Sequence, residues 1–313
     1  MKTITARKRG QIVAGVLAAA GAAMLLSTAS AQPFQTISDS TIVPLAALEG
    51  APHAEISNGI VSAKVYLPGP AGFYGGTRFD HNGIVAHATY KGQDYGRPWF
   101  SGVSRAVHDF TWHKGQVIVQ PASAVMGPAE EFDSIGFQAA GMGGDFLKIG
   151  IGMLKRDTEK EDHVHPYPIV NAGSVRSRAT KTDVRITQTM NDKASGYGYR
   201  YTKTIRMVPG KAQMVIEHSL TNTGGKDIDT NVYCHNFLTL SPGNENITIT
   251  APFAIKAERH GARLGLEMLA PGDCLPRHLR PVARRALLLR RNARHDLRER
   301  RRALRFRGRL SGR

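Results

Sequence analysis

From about residue 53 to residue 260 the chain alternates apolar and polar residues, and a period of two restricts it to β structure. The clearest run is Tyr199-Arg-Tyr-Thr-Lys-Thr-Ile-Arg-Met207, ended by the turn Val208-Pro209-Gly210-Lys211. Gln213 to Thr221 follows, with Met214, Ile216 and Leu220 on one face and His218 among them. Thr223-Gly224-Gly225-Lys226 then turns the chain into Ile228 to Leu240. Earlier, Glu55-Ile56, Asn58-Gly59 and Ile60 to Leu67 read as a hairpin, since Asn-Gly favours the tight turn that joins twisted strands. Val117 to Gln120, Phe146 to Leu154, Val184 to Met190 and Ile247 to Ile255 complete the expected strands. No helix of ten residues or more, and no internal repeat, is expected in this body. The fold class predicted is all-β, with antiparallel sheets packed as a sandwich.

The two ends differ from the body. Lys2, Arg7, Lys8 and Arg9 precede an apolar run from Ile12 to Leu26, and Ala29-Ser30-Ala31 supplies a small-x-small cleavage pattern. That run is about 15 residues, short of the roughly 20 that span a bilayer. Residues 1–31 therefore read as a signal peptide, which implies a periplasmic or extracellular protein with no membrane association once it is cleaved. Residues 32–52 are polar, contain proline and lack periodicity, and read as a flexible lead-in. Beyond residue 260 the alternation stops. The formal net charge is +17, but residues 32–260 hold 22 basic and 21 acidic residues, whereas 261–313 hold 16 Arg, no Lys and 4 acids. A phosphate-binding arm would tolerate both basic residues. A segment of Arg, Ala, Leu, Pro and Gly without lysine instead suits out-of-frame reading of a GC-rich gene, so the C-terminal part of the sandwich is expected to be incomplete or disordered. A basic, disordered arm that binds nucleic acid or anionic surfaces is the alternative. The near-neutral body, residues 53–260, gives no reason to expect nucleic acid there. Cys234 and Cys274 are the only cysteines and lie in body and tail, so no disulfide framework is expected.

One stretch stands out for its chemistry: Asn231-Val-Tyr-Cys-His-Asn-Phe-Leu238. On a strand Tyr233, His235 and Phe237 share one face, and Val232, Cys234 and Leu238 the other. A histidine between two aromatic rings can line a sugar site, the rings packing on C–H faces and the imidazole exchanging a proton. Ordinary half-buried packing gives the same pattern. Cys234 next to His235 is no dyad, because strand neighbours point apart, and it is expected to be a buried structural thiol. Glu130 and Glu131 follow a Gly-Pro turn, and for the same reason at most one of them, taken as Glu131, can face a groove; a solvated pair fits the sequence as well. Asp80 and His81 continue a loop from Arg78 and suit sugar hydroxyls or a plain polar turn. His163-Val164-His165 has metal-ligand spacing without a third ligand, so a surface loop is expected and no metal is. A GxGxxG fingerprint and a P-loop are absent, and no cofactor is expected.

Glu217-His-Ser-Leu-Thr-Asn-Thr-Gly-Gly-Lys226, followed by Tyr233-Cys-His-Asn-Phe237, resembles the aldose 1-epimerase, or galactose mutarotase-like, superfamily. Ile56-Ser-Asn-Gly-Ile-Val-Ser-Ala-Lys-Val65, with Gly75-Gly-Thr-Arg-Phe-Asp80 after it, is similar to that family's first hairpin and arginine loop. The resemblance covers roughly residues 54–258 and implies a β-supersandwich with a carbohydrate groove. It implies that His235 is the general acid on the ring oxygen and Arg78 a substrate-binding arginine, so that acid–base ring opening inverts an anomeric centre. The family's carboxylate base lies near the C-terminus, where this chain carries the arginine tail. A non-catalytic carbohydrate-binding protein on the same scaffold is therefore the second reading, and a basic-tailed nucleic-acid or surface-binding protein the third.

Overall fold

The computed structural model describes residues 37–240, together with the backbone of Lys2–Ile4 and Ala303–Ser311. The rest of the signal-peptide segment, the strand expected at Ile247–Ile255, Cys274 and most of the tail lie outside the described residues. The described chain is all-β, its only helices being single turns of three or four residues such as Leu45–Leu48 and Phe137–Ala140.

The longest sheet runs Ser174–Ala179, Asp183–Asp192, Tyr197–Met207, Gln213–Asn222 and Ala303–Ser311, each strand antiparallel to the next. Its inner face follows from alternation: Val184, Ile186 and Met190, then Tyr199, Tyr201, Ile205 and Met207, are all buried, while Arg185, Thr187 and Arg200 turn outward. A second sheet, His53–Ser57, Val61–Tyr66, Ile84–Tyr90 and Gln93–Asp94, lays Ile56, Ala63, Val65 and Val85 on one end of that inner face. Each such side chain contributes roughly 1.5–3 kcal/mol of apolar burial. The other end carries Phe132, Ile135, Leu147, Ile149 and Met153, which pack on Met190, Tyr199 and Tyr201. Phe132 ends the strand Gly127–Phe132, which pairs with Thr230–Phe237; Ile135 follows it and bridges to Leu147; and Leu147, Ile149 and Met153 belong to the hairpin of Asp145–Lys148 and Gly152–Lys155, which Ile169–Asn171 extends. A third cluster, centred on Tyr66, Phe73, Tyr74, Phe79, Phe100 and Val119, takes Tyr66, Ile84 and Ala86 from the other face of the second sheet and carries Trp99, Phe110 and Phe237 at its margin.

Several expectations hold closely. Strands predicted at Val184–Met190, Tyr199–Met207, Gln213–Thr221 and Ile228–Leu240 are Asp183–Asp192, Tyr197–Met207, Gln213–Asn222 and Thr230–Phe237. In the first hairpin Asn58 Oδ1 accepts from the amides of Ile60 and Val61 at 3.0 and 2.9 Å, and Gly59 takes φ +81°. Three expectations need correction. Phe146 to Leu154 is not one strand but a hairpin, because Gly150 (φ +84°) turns the chain between Asp145–Lys148 and Gly152–Lys155. The lead-in is ordered from residue 37, since Ile37 is buried with Val107 and Ile118, and Leu45 and Leu48 pack on the aromatic cluster. Within the tail, Ala303–Ser311 pairs with Gln213–Thr221, where its sequence regains alternation, with Leu304, Phe306 and Leu310 between arginines.

Candidate functional site

Strand Gly127–Phe132 pairs with Thr230–Phe237 so that Glu131 lies opposite Tyr233, Ala129 opposite His235 and Gly127 opposite Phe237. In an antiparallel pair, directly opposed residues share a face. A loop crosses this face, held by Tyr74, whose hydroxyl donates to Ala122 O at 2.9 Å and accepts from the amides of Arg78 and Phe79 at 3.2 and 3.0 Å. The loop sets Arg78 down on the carboxylate. Its Nε donates to Glu131 Oε2 at 2.9 Å, and its Nη2 donates to the Tyr233 hydroxyl at 3.3 Å. The same hydroxyl donates to Glu131 Oε2, and Lys148 Nζ stands 3.8 Å from Oε1.

Beside this polar corner stands a wall of rings. His235 stacks on Phe237 at 4.0 Å between centroids and 13° between planes, and Phe237 stacks on Trp99 at 5.7 Å and 4°. Phe79 meets His235 and Phe237 edge-on, each at 5.9 Å. Tyr233, His235, Phe237, Trp99 and Arg78 are all half-buried, so the wall keeps one side toward solvent.

Burial, helped by the charge of Arg78, pushes His235 down from 6.5 to about 4, so its ring is neutral at neutral pH. Its Nδ1 is buried and has no hydrogen-bond partner among the described residues. Burial opposes the Arg78 charge, but Glu131 and Tyr233 outweigh it and hold the guanidinium firmly protonated. Burial and then Glu131 push the Tyr233 phenol up to about 12.

Glu130 turns to the opposite face, as the pleat requires, and enters a buried ionic network. Lys203 Nζ lies 2.5 Å from Glu130 Oε2 and 3.5 Å from Asp80 Oδ2, and His218 Nε2 lies 3.2 Å from Glu130 Oε1. Tyr201 OH donates to Asp80 Oδ2 at 2.9 Å and lies 2.9 Å from His218 Nδ1. Asn82 Nδ2 donates to Asp80 Oδ1 at 2.8 Å and to Gln188 Oε1 at 3.2 Å. Burial alone would raise the Glu130 carboxyl, but Lys203 and His218 overcome it and hold it at about 2. All these side chains are buried, so the network ties the long sheet to the loop after Phe79 and offers nothing to a ligand.

Of the residues expected in one site, Arg78, Glu131, Tyr233, His235 and Phe237 come together. Asp80 and His81 do not. Asp80 is turned inward and taken by Lys203, Tyr201 and Asn82, and His81 Nε2 lies 2.6 Å from Gly76 O with its ring edge against Tyr74. Glu130 and Glu131 are both buried, not a solvated pair. Cys234 is exposed rather than buried. His165 Nε2 bonds Asp157 at 2.9 Å in a loop, and no group of three His, Cys, Asp or Glu among the described residues is arranged to hold a metal.

Sequence reasoning did not find Phe79, Trp99 or Lys148 at the site, nor the network. Phe79 and Trp99 sit in turn-rich stretches without alternation. Lys203, however, shares its parity with Tyr199, Tyr201, Ile205 and Met207, and a lysine on a buried face needs an anionic partner. No protein-family model matches the sequence, and neither curated proteins nor solved structures gave a match.

Proposed function

We propose that this chain binds a carbohydrate at the Tyr233–His235–Phe237 face, on a sandwich of the galactose mutarotase-like kind, in an exported protein. The observation that carries the reading is the half-buried stack of His235, Phe237 and Trp99 standing beside the Arg78–Glu131–Tyr233 corner. A sugar answers each part of the patch. Its apolar C–H face packs along the solvent side of the Phe237–Trp99 stack, its hydroxyls reach the remaining donors of Arg78, and one oxygen bonds the His235 ring.

Ring opening at an anomeric centre would use His235 as the acid, and a ring that loses its proton near pH 4 is a weak acid supply at neutral pH. Glu131, already accepting from Arg78 and Tyr233, is poorly placed to serve as the base. Binding without turnover is therefore favoured over epimerase-like catalysis.

The test is equilibrium binding of common aldoses to the full chain by calorimetry, with anomer conversion followed by polarimetry. Phe237→Ala is expected to weaken binding on the order of tenfold through lost ring contact, and His235→Asn to weaken it by a similar factor. Wild-type anomer conversion abolished by His235→Asn would restore the epimerase reading. Absence of any sugar binding, or binding indifferent to both substitutions, would remove the site.

A further inference from the structure

The outer face of the long sheet has a character of its own. Alternation turns Arg176 and Arg178, Arg185, and Arg200 outward, and all four are exposed. None of the four makes an ion pair or a hydrogen bond to another described side chain. The acids on the same parity, Asp183 and Glu217, lie toward Arg206, which is 3.5 Å from Glu217. Asp183 is also two residues from Arg185 on the same strand, whereas register places no acid beside Arg176 or Arg200 on this face. Arg178 and Arg185 are direct cross-strand partners, and like charges in that position repel. Between the arginines stand hydroxyls, with Thr187 and Thr202 bonded to each other at 3.1 Å. None of these side chains belongs to an apolar cluster. Strand Ala303–Ser311 pairs alongside Gln213–Asn222, with Arg305, Arg307 and Arg309 at register positions opposite Ser219, Glu217 and Val215.

We propose that this face docks an acidic polysaccharide, a chain bearing carboxylate or sulfate groups. The Arg176–Arg178–Arg185 group, none of it ion-paired to a described side chain, supplies guanidinium forks for the anions, on backbone positions roughly 6.6 Å apart along a strand and about 4.8 Å across strands. The threonine hydroxyls between them both donate and accept, which suits sugar hydroxyls. Single-stranded nucleic acid is disfavoured because this face presents no aromatic ring for base stacking. A flat sheet face also fits neither groove of a duplex, and an anionic bilayer would ask for an apolar side to insert. The proposal is independent of the His235 patch, which lies on different strands.

The experiment measures binding of the full chain to polygalacturonate, neutral dextran and DNA of matched charge, for wild type and for the triple variant Arg176→Gln, Arg178→Gln, Arg185→Gln. Polygalacturonate should bind with an affinity that falls as salt rises, neutral dextran should not bind this face, and the triple variant should bind polygalacturonate at least tenfold more weakly. Because the arginines repel one another, the variant should melt no lower than wild type, so weaker binding reports the face and not unfolding. Unchanged affinity in the variant, equal binding of neutral dextran, or DNA bound as tightly as polygalacturonate and lost in the same variant would each overturn the proposal.

Discussion

Replacing Lys203 with methionine probes the buried network most directly. The side chains are of similar length, so packing changes little and the cation alone is removed. What remains is Glu130, 2.5 Å from the lost ammonium, and Asp80, 3.5 Å from it, both in the core. In the folded protein Glu130 is held at about 2 against an ordinary 4.5. At about 1.4 kcal/mol per unit that difference amounts to roughly 3 kcal/mol, and breaking a buried ion pair costs about 3–5 kcal/mol. Lys203→Met is therefore expected to lose about 3–5 kcal/mol at pH 7, seen as a lower denaturant midpoint and a Tm reduced by on the order of 10 °C. The folded pKa of Glu130 lies below the unfolded one. Its contribution is therefore complete above pH 4.5 and drains away as pH falls toward 2, and the gap between wild type and variant should close over that window. The double variant Lys203→Met, Glu130→Gln should recover part of the loss, since it removes one stranded charge. A loss below about 1 kcal/mol, or a double variant as unstable as the sum of the two single ones, would refute the reasoning.

His235 titrates near 4 in the fold and at 6.5 unfolded, so the unfolded chain takes up a proton the native one refuses, and stability should fall as pH drops from 6.5 to 4; in His235→Asn melts at pH 7 and 4.5 that part of the slope should vanish, and equal slopes would contradict it. Gly150→Ala should cost about 2–4 kcal/mol in equilibrium unfolding, because Gly150 has φ +84° and an added Cβ would run into the Asp80 carboxylate; a near-neutral effect would mean that Asp80 is not fixed as described.

Alternation made the long sheet readable, because each of its strands has one face in the core and one in water: Val184 and Ile186 against Arg185 and Thr187 is a signal any window of sequence carries. The same parity separated Glu130 from Glu131 and grouped Tyr233, His235 and Phe237. Partnership was not legible. Lys203 meets Glu130 and Asp80 across separations of 73 and 123 residues, and nothing local records which carboxylate will arrive. Asp80 and His81 were misplaced because loop residues have no fixed period, and a turn two residues after Arg78 sends successive side chains to different layers. The ordered lead-in escaped notice because Ile37, Ile42, Leu45 and Leu48 reach separate clusters and form no repeat of their own.

Arg78 and Tyr233 lie 155 residues apart in sequence, yet they share one carboxylate. Contacts of such separation close late, after the intervening hairpins have formed and shortened the loop between them. A ribosome-bound chain cannot close the Arg78–Glu131–Tyr233 corner until the strand Thr230–Phe237 has emerged. During refolding, burial of Tyr233 should trail recovery of strand signal, and any ligand held at that corner should slow unfolding without hastening folding.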